Sequence, residues 1–143
     1  MKTLAFVVAM TAVLACKPGG EPVAGSWIAQ FEGRTFLRLE LKTVNGMITG
    51  GMAVGHFEAD GQGALRRVGE SPRDLRPIFD VTQRASTVTF SRKDTDDSTP
   101  DRFELRLLEP GRAELQFLLS DGDREELAAS GIPAPKPIPL TKQ

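Results

Sequence analysis

The sequence predicts an all-β fold: a single small antiparallel up-and-down barrel of about eight strands, with a β-sandwich as the alternative architecture. Three observations carry this. Short segments alternate apolar and polar side chains with a period of two. Tight-turn dipeptides separate them, and no long helical period lies among them. The chain has 143 residues, which is room for one core. Hydrophobic residues make up 40% and charged residues 26%, a composition that folds rather than stays disordered. The formal net charge of −1 gives no basic face of the kind that nucleic acid requires, so no nucleic-acid partner is expected.

Taken in order, the strands begin with Ser26–Phe31. Thr35–Lys42 alternates strictly, placing Leu37, Leu39 and Leu41 on one face and Arg38, Glu40 and Lys42 on the other. Asn45-Gly46 follows, a dipeptide that tolerates the positive φ of a type I′ hairpin turn. Met47–Val54 returns with Ile48, Met52 and Val54 on one face, and Gly50-Gly51 predicts a bulge or bend within it. Weaker strands are expected at Ala64–Val68, Pro77–Thr82 and Ser86–Arg92, the last with Val88 and Phe90 on one side. Arg102–Leu107 and Ala113–Leu119 form a second hairpin around Pro110-Gly111, which suits the central positions of a type II turn. Phe103, Leu105, Leu115 and Phe117 then point inward.

Past Ser120 the pattern changes. Asp123, with Glu126 three residues on, predicts a capped helix of about two turns that Gly131 and Pro133 end. From Pro133 to Pro139 every second residue is proline, so this tail is expected to run extended, outside any helix or central strand, and to strap the outside or an open end of the barrel.

The first residues are of another kind. Met1-Lys2-Thr3 precedes an apolar run from Leu4 to Ala15, the pattern of a secretory signal and too short for a membrane span, which needs about twenty apolar residues. Val13-Leu14-Ala15-Cys16 resembles the lipobox of bacterial lipoproteins; a plain cleavage site after Ala15 is the alternative and would leave a secreted soluble protein. By that resemblance Cys16 is acylated and becomes the first mature residue. With Lys17 in place of aspartate after it, the implied destination is the outer membrane, facing the periplasm. Cys16 is the only cysteine, so an internal disulfide is impossible and acylation gives the thiol a use. The expected organisation is a signal over 1–15, a flexible tether over 16–24, the barrel over 25–120, and the helix and tail over 121–143.

Gly25-Ser26-Trp27 opens the first strand and contains the only tryptophan. With the stretch from Gly33-Arg34-Thr35-Phe36-Leu37 to Ile48-Thr49-Gly50, it resembles the start of the calycins, the barrel superfamily that includes lipocalins and avidins. The resemblance implies that Trp27 closes one end of the barrel, packed under an arginine from a late strand. Biotin binding does not carry over, because the avidin pocket uses several tryptophans and tyrosines and this chain has no tyrosine.

Other candidate chemistry is sparse. His56, Glu58 and Asp60 would share one face of an extended segment, within reach of a metal. However, this is the only histidine, and transition-metal sites usually take more nitrogen or sulfur ligands, so a solvated loop is the expectation. Asp94–Asp101 lacks EF-hand spacing and reads as a polar loop. No nucleophile motif is present. The expected function is therefore a non-catalytic envelope lipoprotein without a cofactor, an interaction or structural module on a filled barrel whose partner is an envelope protein. The alternative is a carrier holding a small apolar ligand or lipid among Trp27 and the inward residues named above.

Overall fold

The computed structural model describes residues 23–96 and 98–143. The signal, Cys16 and the tether as far as residue 22 lie outside the described residues. Strand β1 (Gly25–Phe31), β2 (Arg34–Val44) and β3 (Met47–Val54) form a meander. A small separate hairpin follows, β4 (Phe57–Ala59) and β5 (Leu65–Val68). Next come β6 (Arg76–Pro77), β7 (Phe79–Arg84), β8 (Thr87–Arg92), β9 (Asp101–Glu109) and β10 (Arg112–Phe117). Helix α1 (Asp121–Ala129) and β11 (Ile138–Lys142) complete the chain. Among these residues no helix is long and apolar enough to cross a membrane.

Nine strands make one antiparallel sheet, ordered β6-β3-β2-β1-β11-β10-β9-β8-β7. Its two edges, β6 and β7, are separated in the chain by Ile78 alone. The segment pairs with β3 through Arg76 and Pro77, then crosses to β8, where Phe79 faces Ser91. The Ile78 amide donates to the Gly50 carbonyl (3.1 Å) at the crossing. Counting that segment as one staggered strand, eight strands run round a nearly closed up-and-down barrel. Closure of this kind removes the exposed edges that an open sheet offers for aggregation.

The turns behave as their residues dictate. Asn45 and Gly46 both have positive φ, 52° and 77°, as a type I′ turn demands. Gly111, behind Pro110, has the positive φ (79°) that the third position of a type II turn requires, and a register shift follows between Arg112 and Ala113. At Gly50-Gly51, however, β2 and β3 stay in unbroken register with no bulge; the glycines serve close backbone approach instead. The bulge lies at the other side of β2. Ala29 faces Leu37 and Gln30 faces Thr35, leaving Phe36 as the extra residue. Phe36 and Leu37 are consequently both fully buried.

Two expectations about the second half change. Ala64–Val68 is not a barrel strand, because β5 pairs only with β4. The eighth position goes to the proline tail, whose last residues form β11 between β1 and β10. Proline is tolerated there for a geometric reason. Lys142 donates its amide to Gly111 on the β10 side (2.9 Å), and Gln143 donates to Ser26 on the β1 side (2.8 Å). Alternation then turns the Pro139 nitrogen toward β1, beyond the Trp27 and Ile28 positions where β1 and β11 pair, so no ladder bond is lost there. The helix cap also moves. Ser120 is the N-cap, its Oγ accepting from the Asp123 amide (3.1 Å) while Asp123 accepts from the Ser120 amide (3.3 Å).

The core runs the length of the barrel. Trp27, Leu37, Leu39, Met52, Val88, Phe90, Leu105 and Leu115 have no accessible surface, and Leu41, Ile48 and Phe103 are nearly as buried. Phe90 stacks on Phe103 (centroids 5.5 Å apart), and Phe103 meets Phe117 at 4.8 Å. Val54 and Phe117 are half-buried at one end.

Candidate functional site

The barrel's two ends are built differently. One carries the tight turns at 45–46, 85–86 and 110–111, together with the entry of the chain at Val23. The other carries every long connection: the excursion containing β4 and β5, the loop between β8 and β9, and α1 with the proline segment.

The turn end is sealed. Trp27 donates its indole N–H to the Val23 carbonyl (2.8 Å), and Val23 itself is buried, so the folded domain reaches back into the expected tether. The residue over the indole ring is not an arginine but Lys142 of the last strand, with Nζ 5.6 Å from the ring centroid. Gly25 leaves room for it: a Cβ there would lie 2.5 Å from Lys142 Cε. The glycine and the tryptophan of Gly25-Ser26-Trp27 thus act together to seat one lysine.

The loop end holds the candidate site, an apolar cleft of about 490 Å³. Its floor is Phe31, Phe117 and Ile138, at the ends of three barrel strands. One wall is the β4–β5 hairpin, through Phe57 and Leu65; the other is Ile132 and the proline run to Pro139. The hairpin wall is fixed by Asp60, whose Oδ1 accepts from the amides of Gln62 (2.8 Å) and Ala64 (3.0 Å). These two backbone donors hold the Asp60 carboxyl below its ordinary value, with a smaller contribution from Lys136. Gly63 brings the walls together, since a Cβ there would lie 2.8 Å from the Ala134 carbonyl. Asp60 and Lys136 are the charged residues of an otherwise apolar lining. A cavity of this size and character suits a small apolar ligand.

A second, more polar pocket of about 470 Å³ lies across Phe57 and Phe117 from the first. Arg92 is buried here. Its Nε donates to the Met52 carbonyl (2.8 Å) and its guanidinium pairs with Asp94, so it spans the seam between β3 and β8. A buried guanidinium is stable only when so engaged. Asp101 sits on the rim. It reaches solvent, yet partial desolvation first and the nearby charge of Asp94 second raise its carboxyl above the ordinary value, with Arg92 opposing.

The metal candidates separate. His56 Nε2 lies 3.5 Å from Glu58 Oε1, and Glu58 also meets Arg67 at 3.4 Å, while Asp60 is turned into its own loop. Among the described residues, no three histidine, cysteine or acidic side chains are grouped to hold an ion.

The inward residues, candidates for barrel interior or for a ligand lining, pack on one another in the core. Of them, Phe117 reaches the cleft, and Val54, Phe103 and Phe117 reach the polar pocket. The cleft was not legible in the sequence, because its lining is drawn from residues 31 to 139 and assembles only when β11 joins the sheet. No protein-family model, curated protein or solved structure matches this chain.

Proposed function

We propose that this chain is a non-catalytic, lipid-anchored envelope protein, held at the periplasmic face of the outer membrane through Cys16. Its filled barrel is a rigid frame, and the cleft at the loop end binds a single-chain amphiphile. The observation that carries this reading is the contrast between a packed interior and an open apolar cleft. An eight-stranded barrel either fills itself with side chains or holds one small ligand. Here Leu37, Leu39, Met52, Leu105 and Leu115 have no accessible surface. A carrier with its ligand inside would have to displace them. The cleft needs no such rearrangement, and Lys136, shared with Asp60, is the basic group of its lining that a polar head group would meet.

The test is titration with a dansyl-labelled fatty acid. Saturable binding is expected, weakened at least about tenfold by Ile132→Glu, which places a carboxylate on the cleft wall at a cost of about 1.4 kcal/mol or more in binding. Ile48→Val, inside the barrel at the far end, should leave binding unchanged. Absence of saturable binding, or equal binding by the Ile132→Glu protein, would sink the assignment.

A further inference from the structure

The turn end of the barrel has a surface chemistry of its own. Val44 and Met47 face each other across the Asn45-Gly46 turn, 47% and 70% exposed, and Leu108 beside the Pro110-Gly111 turn is 53% exposed. Apolar side chains paired at the tip of a hairpin gain nothing from water. Lys42 and Arg84 bring positive charge to the same end, while Lys142 is engaged over Trp27 and Arg112 meets Glu109 at 2.9 Å. The loop end carries both signs with an acidic excess in its later connections: Asp94, Asp96 and Asp101 against Lys93 and Arg102, then Asp121, Asp123, Glu125 and Glu126 against Arg124 and Lys136. The turn end is therefore the less acidic of the two, and its hairpin tips are apolar and exposed.

The chain enters at that same end. Val23 is packed under Trp27, and the residues from Cys16 to Val23 could span at most roughly 25 Å when fully extended. An acyl anchor on Cys16 would hold the turn end near the bilayer.

We propose that this end is a membrane-facing surface. Val44 and Met47 seat in the interface of the bilayer that holds the anchor, and Lys42 and Arg84 face its anionic head groups. The cleft then opens away from that bilayer. The proposal rests on acylation of Cys16, and the experiment separates the two.

Met47→Cys and Ile132→Cys proteins, each changed at an exposed apolar position on opposite ends, are purified from membranes as full chains. They are labelled with a thiol-reactive environment-sensitive dye and reconstituted into vesicles of phosphatidylcholine and phosphatidylglycerol. An acylated Cys16 takes no dye, so one label per chain marks the anchor as present. Expected are one label per chain, a blue-shifted emission at position 47 with at least about threefold weaker iodide quenching than at position 132, and loss of part of that protection when phosphatidylglycerol is omitted. One label per chain with equal quenching at both positions overturns the membrane-facing end and leaves the anchor standing. Two labels per chain overturn the anchor, and the proposal with it.

Discussion

At Gly50 the backbone of β3 runs so close to β2 that a Cβ would stand 1.8 Å from the Glu40 carbonyl oxygen, and φ there is 154°. The obstacle is main chain in the middle of a barrel, so it cannot step aside. Gly50→Ala is expected to cost more than about 4 kcal/mol. Gly46→Ala, where φ is 77° but nothing lies within 4 Å, should cost about 1 kcal/mol. Urea unfolding of the two variants checks the pair. Asp101 tests the polar pocket. Its folded carboxyl is raised, so between the ordinary value of 3.8 and the raised one the folded chain keeps a proton that the unfolded chain has released. Stability therefore falls as pH rises through that window. Asp101→Asn is expected to raise Tm at neutral pH, with the gain shrinking below about pH 3, where both states are protonated. Thermal melts at the two pH values would settle it; a gain that persists in acid would assign the effect to something other than the charge.

Among the elements, β11 carries the most consequence for its length. Leu140 is buried opposite Ala113, and Leu140→Ala should cost roughly 2–5 kcal/mol. Pro139→Ala restores only a donor that has no β1 partner opposite it, so a change within about 1 kcal/mol is expected. Chemical unfolding of both proteins distinguishes a strand held by packing from one held by its prolines. This element also marks the limit of what could be read in advance. Strands β1–β3 and β8–β10 were legible because alternation and turn residues are local signals. β11 was not, because proline at alternate positions normally forbids a ladder, and only the neighbours reveal which side of the strand goes unpaired. Phe36 escaped for a related reason: strict alternation assigns it to the polar face, and only the bulge against β1 turns it inward. The pairing of Gly25-Ser26-Trp27 with Lys142 joins the first and last strands, a contact that no local pattern contains.

For the whole molecule, the fully buried Trp27 is a reporter of closure. As the only tryptophan it should resist acrylamide quenching in the folded chain and become accessible in one step with global unfolding, since its cover includes both Val23 and Lys142. Quenching that rises before the main transition would show that the turn end opens independently. The seam between β1 and β11 has a further bearing on how the protein folds. It joins the first and last strands of the sheet, the most distant pairing in sequence, so its closure is expected to come late. Without β11, one edge of β1 and one edge of β10 would stand bare, each a template for pairing with another chain. The strand that closes the barrel is thus also the one that keeps two of these molecules from joining edge to edge.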